Sequence, residues 1–217
     1  ANGEIHVVYT GASGPVMPHA VRTLLEGFRR FRDSEPATAR RFRFHFLGTS
    51  YAAPGEARCS VLPLAEALGV VDQVSEQPHR LGHLECLRLQ SEADILFLGG
   101  SSDPAYSPSK LYPYFAAGRP ILAVVFPQSV LEAALAEFSG AFLVHMGPSS
   151  AEEASARLER FFRSAVAGFP AGSLPVRDEQ LFAARYHAES TTRRQCELFD
   201  AAHAFAAGAT QPALSIP

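Results

Sequence analysis

The chain has 217 residues, of which 47% are hydrophobic, and its formal net charge at pH 7 is −3. This length and hydrophobicity allow one domain, or one and a half, with a sizeable core, and they exclude a disordered or fibrous protein. The charge argues against nucleic acid as a partner, because nucleic-acid-binding domains are normally more basic.

Apolar runs and helical patterns alternate along residues 5–165. In chain order they predict strand 5–9, helix 19–31, strand 42–47, helix 62–68, a weak strand 70–74, helix 84–92, strand 95–98, helix 110–117, strand 120–126, helix 129–138, strand 141–144 and a helix from 149 or 150 to 165. Ser149 or Ser150, with Glu152 or Glu153, predicts a capping box at the start of the last helix. Branched apolar strands that alternate with helices are typical of a parallel sheet with helices on both faces. The predicted fold class is therefore α/β, with a Rossmann-like sheet of about six strands.

A different pattern follows residue 168. Residues 168–175 are rich in Gly and Pro and predict a hinge or surface connection, and residues 178–207 predict one long helix or two. The tail at 208–217 is expected to be poorly ordered. The sequence thus predicts a Rossmann-like domain at 1–168, a linker and a helix packing on it at 169–207, and a tail at 208–217.

The cysteines and the start of the chain bear on location. Cys59, Cys86 and Cys196 are far apart and form no CxxC pair, which predicts neither a disulfide framework nor a zinc site and fits a reducing cytoplasm. No apolar run approaches the roughly 20 residues that a membrane-spanning helix needs. The start lacks a signal region and opens almost directly on a strand, which suggests an excised domain. The arginines between 29 and 43 predict a solvated helix face and loop, with peripheral contact to an anionic membrane as the alternative.

Two segments are candidates for ligand binding, because ligands of open parallel sheets bind beyond the carboxyl ends of the strands. The first is the turn at 11–14, whose small residues let backbone N–H groups approach a phosphate. The second is 107–112, which offers a hydroxyl, free N–H groups and the Lys110 ammonium at the start of a helix. Each also has a purely structural interpretation: an ordinary turn, and a helix with Ser109 as N-cap and an exposed Lys110 in its first turn.

The sequence PSKLY at 108–112, followed by AAGRPILA at 116–123, resembles the PSKLYEYLAAGKPVLA signature of group-1-type GT-B glycosyltransferases. Segments 46–48, 67–74 and 91–98 resemble further passages of that family in the same order. The resemblance implies a protein of two Rossmann-like domains that face a cleft, with the acceptor bound mainly by the first and a nucleotide-sugar donor by the second. Only the donor-binding domain is expected in this chain, and the N-terminal acceptor-binding domain is expected as its missing partner.

The same resemblance implies the residues of the donor site. Lys110 is implied as the catalytic group that stabilises the departing diphosphate. Donor contacts are implied at Gly11, Ser13 and Gly14 beneath the diphosphate, at Ser109, Lys110 and Leu111 beside it, at Gln77 and His79 near the base, and at Asp103 and Tyr106 near the sugar. No metal or other cofactor is expected, because the loop lacks an Asp-x-Asp pair; the nucleoside-diphosphate sugar is the substrate.

Two features depart from the family's pattern. Ala105 and Pro113 stand where many relatives carry two glutamates, one near the sugar and one near the ribose, and the usual arginine and lysine after the first strand are absent. Lys110 is therefore expected to carry most of the phosphate charge, with Arg119 as a second candidate. The predicted function is transfer of a sugar from a nucleoside-diphosphate sugar to a glycan or lipid-linked acceptor by the intact parent, with this isolated domain inactive.

A short-chain NAD(P) dehydrogenase is one alternative. The turn at 10–14 resembles the nucleotide turn of that family, and Tyr106 with Lys110 reproduces its Tyr-x-x-x-Lys spacing. Pro108 argues against the continuous helix that this motif needs. A noncatalytic module that binds a nucleotide sugar or a partner protein is the other alternative.

Two further sites find little support. His79, His83 and Glu85 have the spacing of a metal cluster, but Gly82 interrupts the helix that would present them. No glycine-flanked serine forms a nucleophile elbow, so a hydrolase triad is not predicted.

Overall fold

The structure is a computed structural model, which describes residues 3–13, 17–53, 55–147 and 150–207. The chain forms two compact units, the first ending at Arg177 and the second beginning at Asp178. The strands of the first unit are β1 Ile5–Thr10, β2 Phe42–Leu47, β3 Val74–Gln77, β4 Ile95–Gly99, β5 Ile121–Val125 and β6 Ala141–His145. Its helices are α1 Pro18–Ser34, α2 Pro36–Ala39, α3 Leu62–Ala67, α4 His83–Glu92, α5 Leu111–Ala116, α6 Val130–Phe138 and α7 Ala151–Val166. The second unit contains α8 Glu179–Tyr186 and α9 Ala188–Ala206.

The six strands form one parallel sheet with helices on both faces, in the order β3-β2-β1-β4-β5-β6. The order changes direction between β1 and β4, which are neighbours in the sheet but not along the chain. In sheets of this kind, the carboxyl ends of the strands at the reversal open a crevice that accommodates ligands. The predicted α/β class, with a Rossmann-like sheet of six strands, is confirmed.

Apolar side chains on both faces of the central strands form the core. β4 and β5 are buried along their full length, as expected for parallel strands covered by helices on each side. On one face the ring centroid of Phe28 in α1 lies 4.7 Å from that of Phe44 and 5.5 Å from that of Phe162 in α7. Edge-to-face aromatic pairs of this kind add about 0.5–1.5 kcal/mol each to the area burial. Aromatic packing therefore binds α1 and α7 to each other and to the sheet.

The third strand differs from the prediction. Residues 71–73 form a 3-10 turn, and β3 starts at Val74, so the predicted strand at 70–74 was wrong in position. The cause is the end of α3: Gly69 adopts a φ of +68°, and the Val70 N–H still donates to the Ala65 carbonyl at 2.9 Å. The Gln73 N–H then donates to the Val70 carbonyl at 3.1 Å, so the chain becomes extended only after the turn.

Two further predictions concern the start of α7 and the helical segment after it. Ser150 precedes α7, but its hydroxyl donates to the carbonyls of His145 and Gly147 instead of capping the helix, so it forms no capping box; Ser149 lies outside the described residues. Of the one long helix or two predicted for residues 178–207, the structure has two, because His187 has an extended backbone, with a ψ of 146°. The predicted tail at 208–217 also lies outside the described residues.

Arg177 fastens the end of the first unit to the sheet region. Its Nη1 donates to the Phe115 carbonyl in α5 at 2.6 Å. Its aliphatic part occupies the space where a side chain at Gly140 would start, since a Cβ there would lie 2.7 Å from Arg177 Cδ. The segment up to Arg177 therefore belongs structurally with α5, and the predicted boundary at 168/169 stays a prediction for any functional division.

Within the described ranges, no helix combines the length and the apolar character required to cross a membrane.

The contact between α1 and α7 yields the first prediction. A Cβ added at Gly27 in α1 would lie 2.8 Å from Leu158 Cβ in α7 and closer still to Leu158 Cδ1. The two helices are packed on each other and cannot easily separate to make room. We expect Gly27→Ala to lower the free energy of unfolding by about 1–3 kcal/mol, because overpacking forces shifts in a close-packed core. Chemical denaturation measures this change.

Gly82→Ala is the matched control. Gly82 has an ordinary φ of −63° and no heavy atom within 4 Å of an added Cβ. It should leave stability within about 0.5 kcal/mol of wild type. Equal stability of the two variants would contradict the described packing of α1 on α7.

Candidate functional site

A cavity of about 570 Å³ lies at the carboxyl edge of the sheet, where the order of strands reverses. Its walls come from the ends of β1 and β2, the segment after β3, the inner face of α4, and the loop between β4 and α5. The lining residues are Thr10, Gly11, Ala12, Leu47, Gly48, Tyr51, Arg80, Leu81, His83, Cys86, Leu87, Gln90, Tyr106, Ser107, Pro108, Ser109, Lys110 and Pro113. We call it the switch-point cavity.

Two other cavities in the described part of the chain lie elsewhere. One of about 510 Å³ is bounded by α1 and α7, and one of about 400 Å³ contains the stacked His6 and His45 rings. Neither is lined by Gly11 or Lys110. The switch-point cavity is the candidate site because it has both the expected position in the fold and the predicted side chains.

Lys110 is the only lysine of the sequence and lies inside the switch-point cavity. Its Nζ is 3.8 Å from the centroid of the Tyr9 ring and donates to the Tyr9 hydroxyl. It also lies 3.1 Å from the point that a Cβ at Gly11 would occupy, so a side chain at residue 11 would press on the amine. The absence of a side chain at Gly11, together with its φ of +115°, makes room for the lysine.

Burial, and to a lesser extent repulsion from the Arg80 guanidinium, lowers the pKa of Lys110 to about 7. The Arg80 side chain is held by a 3.2 Å hydrogen bond from Nη1 to the Gly48 carbonyl and lies over the Tyr51 ring, at 5.1 Å. No Asp or Glu is among the described residues that line this cavity. Two basic groups without a carboxylate favour an anionic ligand, which would also raise the pKa of Lys110.

Hydrogen bonds tie the end of β1 to two helices. The Thr10 N–H donates to the Tyr114 hydroxyl at 3.0 Å, and Gln90 Nε2 donates to Thr10 Oγ1 at 2.8 Å. Burial raises the pKa of Tyr114 to about 12, so this phenol stays neutral. The Tyr9 hydroxyl donates to the Ala12 carbonyl at 2.5 Å, and burial raises its pKa well above the usual range. The cavity floor beneath Lys110 is therefore a neutral, hydrogen-bonded platform.

Glu76 anchors the loop that carries Tyr51. Its Oε1 accepts from Thr49 Oγ1 at 2.6 Å and from the Ser60 N–H at 2.9 Å. Its Oε2 accepts from the N–H groups of Val61 and Leu62 at 2.8 and 2.9 Å. Burial raises the pKa of this carboxyl, but the bonds from Thr49 and from the backbone outweigh burial and leave it lowered. One carboxylate thus fixes both ends of the loop between β2 and α3.

The structure brings four of the predicted donor-binding residues together in the switch-point cavity: Gly11, Tyr106, Ser109 and Lys110. The N–H groups of Gly11 and Ser13 already donate to the carbonyls of Leu47 and Thr49, at 2.8 and 3.0 Å. Each of these two N–H groups thus has a partner within the fold, and their contact with a phosphate stays a prediction. Gly11 contributes space.

The other predicted residues lie outside the cavity lining. Ser13 is buried with its hydroxyl 3.0 Å from that of Ser60, and Leu111 is buried in the core. Gln77 and His79 are exposed, and exposed Asp103 uses Oδ1 to accept from the Ala105 N–H at 2.9 Å. Gly14 lies outside the described residues. Their roles toward a donor stay predictions.

The sequence interpretation missed two lining residues, Arg80 and Gln90, and the partner of the Lys110 amine, Tyr9. Tyr9 was assigned only to a strand, Gln90 only to a helix, and Arg80 fell unnamed within the segment expected near the base. A basic residue in that otherwise weakly patterned segment was the one available signal for Arg80. Nothing in the local sequence around Gln90 indicated that its amide would reach Thr10.

The structure does not place Tyr106 and Lys110 as the dehydrogenase motif requires. Residues 101–110 are not helical and α5 begins at Leu111, so Tyr106 and Lys110 do not share a helix face. Ser109 is not the N-cap either, because Lys110 occupies that position, without a side-chain cap. In the described ranges, no three His, Cys, Asp or Glu side chains are placed to hold a metal ion. His79, His83 and Glu85 therefore do not form the metal cluster that their spacing allowed.

No protein-family model and no curated protein matches the sequence, whereas several solved structures share its fold. The UDP-forming α,α-trehalose-phosphate synthase from Burkholderia vietnamiensis matches with a TM-score of 0.56 and 16% identity, over 96% of this chain and 46% of its own. WaaG, a glycosyltransferase involved in lipopolysaccharide biosynthesis, matches with 0.51 and 14%, over 87% of this chain and 48% of its own. Sucrose-phosphate synthase from Thermosynechococcus elongatus matches with a TM-score of 0.50 and 16% identity, over 91% of this chain and 46% of its own.

The sheet order and the position of the cavity define a Rossmann-like α/β protein with a ligand crevice at the strand reversal. More particularly, the chain has the fold of one half of a GT-B glycosyltransferase. It spans just under half the length of these matched structures.

The Glu76 contacts yield a prediction about acid stability. Glu76→Gln replaces an acceptor oxygen by an NH2 group that faces backbone donors, so we expect a loss of roughly 1–3 kcal/mol at pH 7. Because the folded-state pKa is lowered, the contribution of the carboxylate is present above pH 4.5 and is lost as the pH falls through the folded value. The difference between wild type and variant should therefore shrink below pH 4.5.

Denaturant unfolding from pH 3.5 to 7 measures both effects. Glu66→Gln, on the exposed side of α3, is the matched control and should change little. A Glu76→Gln deficit that stays constant with pH would contradict the anchoring role of the ionised carboxylate.

The burial of Lys110 yields a prediction about stability in the absence of ligand. The unfolded chain binds more protons than the folded one between pH 7 and the ordinary lysine pKa of about 10.4, so burial of the amine destabilises the fold most at and below pH 7. Lys110→Met should therefore raise the free energy of unfolding by roughly 1–3 kcal/mol at pH 7. The gain should narrow as the pH rises toward 10.

Differential scanning fluorimetry and denaturant unfolding at pH 7 and pH 9 measure this gain. NMR provides a direct check, because ¹³C-lysine labelling gives the signals of a single residue whose titration reports its pKa. A titration midpoint near 10 would refute the described burial.

Proposed function

We propose that this chain is the donor-binding domain of a glycosyltransferase and holds a nucleoside-diphosphate sugar in the switch-point cavity. The observation that carries the proposal is the single lysine of the sequence, placed over Gly11 at the strand reversal in a cavity that no described carboxylate lines. The GT-B-type fold supports the same reading.

A diphosphate is the ligand that these groups match best. Lys110 supplies a compact cation with three donors once it is protonated, and Arg80 supplies a second charge from the segment after β3. The diphosphate brings two negative charges, which relieve the repulsion between the two cations. The ligand therefore gains more from this cavity than a neutral sugar would.

In the transfer step, the bond between the anomeric carbon and the diphosphate oxygen breaks, and negative charge develops on the departing diphosphate. A protonated Lys110 beside that oxygen stabilises this charge more in the transition state than in the ground state, which accelerates the reaction. The chain supplies donor binding and leaving-group stabilisation. A second domain supplies the acceptor.

The proposed acceptor is a glycan or a lipid-linked molecule. WaaG, of similar fold, is involved in lipopolysaccharide biosynthesis, which supports this class of acceptor. The trehalose-phosphate and sucrose-phosphate synthases of similar fold are named for small sugar phosphates, so a small acceptor is the alternative.

Ligand panels test the proposal on the purified chain. UDP, GDP, ADP, NAD and NADP are compared by thermal shift, since a ligand that binds only the folded state raises its stability. We expect one nucleoside diphosphate to stabilise the protein. Lys110→Met should weaken its affinity by at least tenfold in calorimetry, because a charge-assisted contact is lost, whereas Arg119→Met, which removes a cation outside the cavity, should not.

The pH dependence of affinity separates Lys110 from a general charge effect. A nucleotide sugar carries a diphosphate that does not titrate near neutral pH, so only the protein changes protonation. With a free-state pKa of about 7 that binding raises, affinity should fall by roughly an order of magnitude between pH 6.5 and 8.5. The Lys110→Met affinity should be flat over the same range.

Calorimetry at pH 8 in buffers of different ionisation enthalpy should show uptake of about one proton by wild type and none by Lys110→Met. Stabilisation by NADP alone, or nucleotide affinity that ignores both Lys110 and pH, would overturn the proposed site.

A further inference from the structure

The Gln90 amide is buried at the switch-point cavity with one end unpartnered. The side chain is only 4% exposed, and its Nε2 donates to Thr10 Oγ1. Its Oε1 has no hydrogen-bond partner among the described residues. A buried amide oxygen without a partner costs about 1–3 kcal/mol, and this one belongs to a residue that lines the cavity.

A hydroxyl is the group that fits this position. The two ends of an amide can exchange places by rotation, and whichever end faces Thr10, the other end is left without a partner. A hydroxyl both donates and accepts, so it satisfies either orientation. A phosphate oxygen only accepts, and it is already served by Lys110 on the proposed reading.

The position of Gln90 relates this hydroxyl to the diphosphate. Gln90 donates to Thr10, and the Lys110 amine lies 3.1 Å from the point that a Cβ of the next residue, Gly11, would occupy, so the two side chains lie beside consecutive residues of β1 and its turn. Pro113, another lining residue, brings no hydrogen-bonding side chain to this wall. A hydroxyl that reaches Gln90 would therefore lie close to a diphosphate held by Lys110.

We infer that Gln90 is a specificity residue that binds a hydroxyl of a sugar attached to the diphosphate, either the ribose or the donor sugar. The inference rests on the proposed nucleotide-sugar site and names one of its contacts. The amide then discriminates against ligands that lack the hydroxyl, because such a ligand leaves the buried oxygen unpaired.

The test compares ligands with and without each hydroxyl. Isothermal calorimetry on the full chain measures UDP against 2′-deoxy-UDP and 3′-deoxy-UDP, and GDP against 2′-deoxy-GDP and 3′-deoxy-GDP, for the ribose. UDP-glucose against UDP-2-deoxy-2-fluoroglucose and UDP-galactose against its 2-deoxy-2-fluoro analogue test the donor sugar. Wild type should bind one hydroxylated ligand at least fivefold more tightly than its deoxy partner.

Gln90→Met is the test variant because it keeps the length of the side chain and removes its hydrogen-bonding groups. It should reduce the wild-type preference to less than twofold, mainly by weakening the hydroxylated ligand. Gln73→Met is the matched control. Gln73 also has a buried Oε1 without a partner among the described residues, but it does not line the cavity. This control should keep the full preference.

The outcomes separate the two proposals. A preference lost in Gln90→Met and kept in Gln73→Met supports the inference, and the ligand pair that loses it identifies the ribose or the donor sugar as the source. A preference that is absent in wild type, or unchanged in Gln90→Met, overturns the inference and leaves the nucleotide site standing. Failure of every nucleotide to bind wild type overturns the proposed function and this inference with it. Thermal unfolding of Gln90→Met confirms that the variant is folded; should it unfold, Gln90→Leu and Gln90→Glu repeat the comparison.

Discussion

The partly buried amine of Lys110 is the constraint on which the candidate site depends. Lys110 places its amine over Gly11 and the Tyr9 ring, beside Arg80 and without a described carboxylate in the cavity lining. A buried charge without a partner is unfavourable, and the amine answers this by losing its proton at a pKa of about 7. The site is thus balanced between a neutral state without ligand and a charged state with an anion.

This balance needs a rigid surrounding. If the end of β1 could move, the Lys110 amine would turn outward to water and keep an ordinary lysine pKa. Tyr114 from α5 and Gln90 from α4 hold Thr10 from two sides, and the strand is paired on both edges by β2 and β4. Pairing with β2 continues to Thr10, whereas pairing with β4 covers Val7 and Val8, so the two side-chain hydrogen bonds hold the end of β1 beyond its pairing with β4.

Pattern in the sequence was enough for the sheet and for part of the site. Branched apolar runs mark the central strands because both of their faces are buried, whereas the start of β3 depends on how α3 ends at Gly69, which periodicity does not report. Lys110 and Gly11 could be predicted as candidate ligand-binding residues, because their segments follow strands of the predicted sheet. Gln90 could not, since its partner Thr10 lies 80 positions away and only the tertiary fold brings them together. The Thr49 carbonyl that accepts from the Ser13 N–H is likewise brought close only by the fold, and the role of Ser13 toward a donor stays a prediction.

The segment after α7 has a practical consequence through Arg177. The Arg177 guanidinium donates to a carbonyl at the C-terminal end of α5, the helix that begins directly after Lys110. The methylene groups of Arg177 cover Gly140. A shortened protein that ended at Gly168, where the Gly- and Pro-rich stretch begins, would lose this clasp and uncover the glycine. Preparations intended for crystallisation or NMR should therefore retain the chain through Arg177, so that α5 keeps its support at the end opposite the site.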